Sequence, residues 1–186
     1  MSPAGGVRLF VALELPAAIR TALSGWAREH AGGLGSLRLV GPDSLHVTLC
    51  FLGSRPASEV DDIATACHAA VSGLPAPVLT VGGALWLPPR RPRVLTVELA
   101  DDDGRLAAVQ SALAHALAQR GFYKPEPRPF LAHVTTARVK RESRPRPEPL
   151  PPPDPTSFTG DRVTLFRSQL GKGPAHYEAL SSIELR

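Results

Sequence analysis

Apolar positions in this chain fall in short runs broken by proline, glycine and charge. Residues 7–15 read as a strand around Arg8-Leu9-Phe10-Val11-Ala12-Leu13. Pro16 then opens a helix that runs to about residue 30, since proline suits a first helical position, and Gly32-Gly33 closes it. Residues 37–40 form a short strand, Gly41-Pro42-Asp43 a turn, and residues 45–52 a longer strand ended by Gly53. Ser58 is placed to cap a helix over 59–71. Strands over 78–87 and 94–99 flank a turn rich in proline and arginine. The acidic run Asp101-Asp102-Asp103 marks the start of a helix that reaches about residue 120 and ends at Gly121. Further strands are expected over 133–139, 162–169 and 177–185. Between the first two of these lies a proline-dominated stretch, 144–155, which can be neither helix nor inner strand. It reads as a solvated polyproline II loop between strands, with an adaptor-binding role as the lesser reading.

One tripeptide stands out within this pattern. His-Val-Thr occurs at His46-Val47-Thr48 and again at His133-Val134-Thr135, each time in an expected strand. Strand side chains alternate faces, so each His shares a face with its Thr while the Val turns away. In the first copy, Leu45, Val47, Leu49 and Phe51 are assigned to the packed face, and His46, Thr48 and Cys50 to the other. With six histidines in the chain, chance supplies roughly 0.3 His-x-Thr tripeptides, so two copies in matching contexts carry meaning. The order of elements repeats as well. A strand at Arg8 and a helix precede His46, and a strand at Arg93 and a helix precede His133. This suggests duplicated α/β lobes, which would bring the two His-Val-Thr faces together across one cleft.

Composition narrows the field. A chain of 186 residues with 43% hydrophobic content can bury one core and is not disordered overall. No apolar run approaches the roughly 20 residues that span a bilayer, and no signal peptide is expected, so the expected setting is cytoplasmic. Cys50 and Cys67 have neither metal-ligand spacing nor a disulfide framework, and read as reduced interior thiols. The net charge of +4 comes mostly from arginine, whose planar fork suits phosphate; the lysines are Lys124, Lys140 and Lys172. That bias permits an anionic ligand without demanding one.

The two pairs form a kit for phosphodiester chemistry. Histidine, with a pKa of about 6.5, exists in both protonation states near neutrality. One imidazole can take a proton from water while the other gives one to the departing oxygen. Threonine hydroxyls can donate to the phosphoryl oxygens. No acidic cluster accompanies the histidines, so a metal is not expected, and no phosphate-cradling glycine loop is present. His30, His68, His115 and His176 lack this context and read as structural or surface residues.

The chain resembles the two-histidine (2H) phosphoesterase superfamily, and within it the RNA 2′,3′-cyclic phosphodiesterases, also called 2′-5′ RNA ligases. The resemblance runs in order through Arg8-Leu-Phe-Val-Ala-Leu-Glu-Leu-Pro16, Leu45-His-Val-Thr-Leu-Cys-Phe-Leu-Gly53, Arg91-Pro-Arg-Val-Leu95 and Arg128-Pro-Phe-Leu-Ala-His-Val-Thr-Thr-Ala-Arg138. It closes on Ser168-Gln-Leu170 and Gly173-Pro-Ala-His-Tyr177. Two positions depart from the family pattern: Ala132 stands where proline is usual, and Thr136 where leucine is usual.

The resemblance implies an α+β fold: a bilobal, pseudo-twofold 2H phosphoesterase fold in which two antiparallel sheets face a central cleft with helices outside. Residues 1–186 would form one domain of two interleaved lobes. The implied activity is hydrolysis of an RNA-terminal 2′,3′-cyclic phosphate to a 2′-phosphomonoester, without metal or cofactor, with 2′-5′ ligation as its reverse. Carried over, His46 is the proton donor, His133 the proton acceptor, and Thr48 and Thr135 hold the phosphate; the sequence by itself does not order the two histidines. Arg138, Arg128 and Lys140 are candidate RNA contacts, Arg138 only if its strand is bulged. The expected partner is RNA with a cyclic phosphate end, tRNA fragments included, acted on by a monomer away from membranes. The alternatives are a cyclic phosphodiesterase for small nucleotides, or a nucleotide- or RNA-binding module of the same fold.

Overall fold

The computed structural model describes residues 6–169 and 176–186. Its elements are β1 (Gly6–Glu14), α1 (Ala17–Ala31), β2 (Leu37–Leu39), β3 (His46–Pro56), α2 (Val60–Val71), β4 (Val78–Leu87), β5 (Val94–Ala100), α3 (Arg105–Gln119), β6 (His133–Val139), β7 (Ser157–Thr159), β8 (Arg162–Gln169) and β9 (His176–Glu184). Two antiparallel sheets result. One runs β3-β1-β8-β9 and the other β2-β6-β5-β4-β7. β1 sits inside its sheet, and its apolar run Leu9, Val11, Ala12 and Leu13 is fully buried. Both sheets contribute to one core cluster.

The same unit is built twice. β1 pairs with β3 after an intervening helix, and β5 pairs with β6 after another. Each helix then crosses to the opposite sheet: α1 packs on β6, and α3 packs on β3 beside α2. The apolar faces of α1 (Ile19, Leu23, Trp26) and α3 (Leu106, Val109, Leu113, Leu117) are buried there. α3 starts where the acidic run placed it. The Asp101 carboxylate accepts the backbone N–H groups of Leu106 (3.0 Å) and Ala107 (2.8 Å), satisfying donors that the first turn leaves free.

Several details depart from the sequence expectation. β3 does not end at Gly53. The glycine adopts φ +71° at a bulge opposite Leu9 and Phe10, and the strand continues to Pro56. Ser58 is therefore inside a single 3-10 turn (Ala57–Glu59) and does not cap α2, which has no side-chain cap. Arg55 and Glu59 join the strand end to the helix start by an ion pair of 2.6 Å. The stretch 144–155 is a strap rather than a free loop. The indole N–H groups of Trp26 and Trp86 donate to the carbonyls of Pro151 and Glu148, both at 2.9 Å. Pro153 is buried beneath it, and the strap delivers the chain to β7, a three-residue strand too short to show a period. Cys50 and Cys67 are buried free thiols, and burial pushes each up to about 12.

Candidate active site

β3 and β6 belong to different sheets and touch. Their pairings are register-matched. Glu14 lies opposite His46 and Glu98 opposite His133; Ala12 and Thr96 lie opposite Thr48 and Thr135. Directly after each His-Val-Thr comes a bulge, with Leu49 as the extra residue in β3 and Thr136 in β6. A bulge leaves backbone groups outside the ladder, and both are satisfied. Gln110 Nε2 donates to the Leu49 carbonyl (3.3 Å), and the Val40 N–H donates to the Thr136 carbonyl (2.8 Å). The Thr136 hydroxyl, buried, donates to Leu95 (3.1 Å).

The bulges reverse the alternation beyond them. Cys50 was expected beside His46 and Thr48, and Phe51 on the packed side. Instead Cys50 is buried in the core at 1% exposure and Phe51 is 45% exposed. The extra residue, Leu49, stays on the core side, so the side chains from Cys50 up to the second bulge change face. The same step in β6 puts Ala137 into the core and leaves Arg138 exposed. This meets the condition on which Arg138 was a candidate.

Both rings are aimed in the same way. Nδ1 of His46 lies 2.8 Å from the Ser44 carbonyl, and Nδ1 of His133 lies 2.8 Å from the Leu131 carbonyl. A carbonyl only accepts, so each Nδ1 carries the proton and each Nε2 is left for chemistry. Nε2 of His46 is 3.0 Å from the Thr48 hydroxyl, which donates to it when the ring is neutral.

The surroundings of the two rings differ. Phe10 (centroids 4.9 Å apart), Tyr177 (5.4 Å) and Phe166 (6.4 Å) wall in His46. Burial drives its pKa from 6.5 down to about 4. That value already includes the bond to Ser44, which opposes the fall, and the electrostatic influence of Arg138 and His133, which adds to it. That Arg138 and His133 both act on His46 puts the three residues in one electrostatic neighbourhood.

Of the other expected residues, Thr48 and Thr135 share the faces of their histidines at intermediate exposure. Arg128 is exposed on the loop before β6. Lys140 lies beyond β6 and donates from Nζ to the Gly35 carbonyl (2.7 Å), away from the histidine pair. The aromatic wall was missed in the sequence reading. Its three members come from β1, β8 and β9, and only the scarcity of aromatic residues, 5% of the chain, could have drawn attention to them. Residues 170–175, part of the expected closing motif, lie outside the described residues. Among the described residues no group of three or more His, Cys, Asp or Glu could hold a metal, and no helix is long and apolar enough to cross a membrane.

The sequence profile of the 2′-5′ RNA ligase superfamily matches residues 15–172, which contain both His-Val-Thr strands. The chain belongs to that superfamily. Among 2′-5′ RNA ligase superfamily relatives, the RNA 2′,3′-cyclic phosphodiesterase of Escherichia coli (strain K12) is 31% identical over 174 residues, 93% of each chain. The RNA 2′,3′-cyclic phosphodiesterase of Archaeoglobus fulgidus is 28% identical over 137 residues, 74% of this chain and 75% of the relative. The fold matches as closely. TT0787 of Thermus thermophilus aligns at a TM-score of 0.82 with 25% identity, covering 96% of this chain and 98% of that one. E. coli LigT complexed with 3′-AMP aligns at 0.80 with 27% identity, covering 97% and 98%. The architecture is the 2H phosphoesterase fold, α+β with two antiparallel sheets.

Proposed function

We propose that this chain opens RNA-terminal 2′,3′-cyclic phosphates to 2′-phosphomonoesters by paired-histidine acid–base catalysis, without a metal. The observation that carries the reading is the matched pair of bulged strands, each with its His-Val-Thr in the same register, together with the electrostatic influence of His133 and Arg138 on His46. The names of the curated relatives supply the substrate class.

In this mechanism His133 Nε2 takes a proton from water as the water oxygen attacks phosphorus. The bond from phosphorus to O3′ breaks, and His46 Nε2–H delivers its proton to O3′. Thr48 and Thr135 donate to the non-bridging oxygens, and Arg138 balances their charge. A 5′-hydroxyl in place of water would run the reverse reaction and leave a 2′-5′ linkage. Each lobe of a single domain supplies one histidine and one threonine.

Burial of His46 favours a second reading, in which the duties are exchanged. The free protein holds His46 neutral at pH 7, with Nε2 accepting from Thr48. For His46 to act as the acid, the arriving phosphodiester anion must draw a proton onto it, offsetting its burial and the charge of Arg138. A cyclic substrate with sulfur in place of the bridging 3′ oxygen separates the two readings, because a thiolate leaves without an acid. With this substrate His46→Ala should recover most of its lost rate and His133→Ala should not. Recovery in His133→Ala alone would assign the exchanged duties. Activity in a chelator is expected to be full, and its loss would overturn the metal-free route.

A further inference from the structure

The β4–β5 hairpin tip and the turn after β6 enclose a groove of about 410 Å³ that the proposed reaction does not use. Its lining contains Arg90, Arg91, Arg93, Lys140, Arg141 and Arg144, and no carboxylate. All six cations are exposed. Among the described residues none of the six is ion-paired, whereas Arg20, Arg55, Arg105, Arg162 and Arg167 all are. Six unpaired like charges repel one another, and an anion would relieve that repulsion.

The groove is also built rigidly. The Arg93 N–H closes the hairpin on Leu87 (2.8 Å), and the Val139 N–H bolts β6 to the Arg93 carbonyl (2.8 Å). The Ser143 N–H closes the next turn on Lys140 (2.9 Å), and the Lys140 N–H ties it to Ser36 (2.8 Å). The Trp86–Glu148 bond fastens the chain just past Arg144. The arginine forks are therefore carried on fixed backbone and can meet phosphate oxygens in pairs.

Its location relative to the histidines names the ligand. Arg138 precedes Val139, which lines the groove, and pairs with Val94, which follows Arg93. Arg138 also acts on His46. Arg138 thus stands on β6 between the histidine pair and the groove. The six residue steps from His133 to Val139 span roughly 20 Å, beyond the reach of a mononucleotide and within that of a short strand. We propose that this groove holds the phosphodiester backbone of single-stranded RNA upstream of the reacting end, so that it selects oligonucleotides over mononucleotides. The assignment rests on the proposed reaction for its direction and on the groove itself for binding.

The test compares the intact chain with the triple variant Arg90→Gln, Arg91→Gln, Arg144→Gln, all exposed positions, after circular dichroism shows the fold unchanged. The binding probe is a fluorescent single-stranded RNA of about ten nucleotides ending in a 2′-phosphate. Its affinity should fall about tenfold in the variant. The dependence of log affinity on log salt should flatten by about 2, at roughly 0.7 per lost phosphate contact on a single strand. Turnover of a 2′,3′-cyclic mononucleotide should stay within twofold. Unchanged RNA affinity and salt slope would overturn the assignment. Polyglutamate of matched charge displacing the RNA equally well would also overturn it, in favour of an acidic protein partner. A native chain that binds the RNA through these arginines but turns over no cyclic phosphate would refute the proposed reaction and leave the groove assignment standing.

Discussion

β3 and β6 present the same tripeptide in the same pairing register, with a bulge at the same place, yet their imidazoles live in different company. His46 is enclosed by Phe10, Phe166 and Tyr177 and shares its Nε2 with Thr48. Among the described residues His133 has no ring contact, and its one hydrogen bond is exposed. Beyond the bulges the open face receives Phe51 in one strand and Arg138 in the other. Duplicated backbone therefore places the two nitrogens alike, and neighbours make them unequal. Acid–base chemistry uses one ring with its Nε2 proton and one without, and unequal surroundings bias which is which. Phe10, Tyr177 and Arg138 lie outside the repeated tripeptide, so asymmetry entered without disturbing it.

The harshest way to break this comparison is to remove one ring at a time. His46→Ala and His133→Ala should each lower kcat/KM on a 2′,3′-cyclic phosphate by about 10²- to 10⁴-fold. The double variant should fall little below the worse single one, since the two rings act as a unit. Thermal melts should then separate them. His46→Ala vacates a space between aromatic rings and should melt a few degrees lower, while His133→Ala should melt near the parent. Near-normal turnover in either variant would take that ring out of the mechanism, whereas binding without turnover by the parent chain would leave a nucleotide-binding module.

How much of this was legible beforehand differs by feature. β6 and the start of α3 followed from local chemistry: an alternating run in one case, carboxylates over free N–H groups in the other. The bulges did not, because an extra residue is defined against the partner strand. Leu49-Cys50-Phe51 is apolar throughout and shows no break where the face changes. The strap over 144–155 depends on Trp26, 125 residues before the Pro151 carbonyl it binds. The wall around His46 joins Phe10 to Phe166 and Tyr177 from the far end of the chain. Local periodicity therefore points to the repeated half of the candidate site, and long-range pairing supplies the half that differs.

The next comparison is in stability against pH. Folding lowers the pKa of His46 from 6.5 to about 4, so between those values the unfolded chain binds more protons than the folded one. Stability should therefore rise with pH across that window. The contribution is complete above pH 6.5 and is lost as pH falls toward 4, by roughly 3 kcal/mol in all. Urea unfolding at a series of pH values measures it. The parent minus His46→Gln difference isolates His46 from the carboxylates, and a flat difference would show that the ring is not held neutral by its enclosure.

The smallest expected effect tests whether the bulges sort the neighbours. Arg138 is exposed, so its charge is screened and its pull on His46 is secondary to burial. Arg138→Leu should raise the His46 pKa by less than about one unit, read from the ring C–H shifts in an NMR titration. It should also lower kcat/KM by about tenfold on mononucleotide and oligonucleotide alike, because the lost contact is at the reacting phosphate. Phe51→Leu is its counterpart in the other strand. Phe51 stacks under the Arg8 guanidinium at 4.7 Å and takes no part in the charges acting on His46. That substitution should leave the titration and the mononucleotide rate within about twofold. Equal effects from the two variants would mean that the matched bulges give both strands the same role, and the inequality would then rest on the aromatic wall alone.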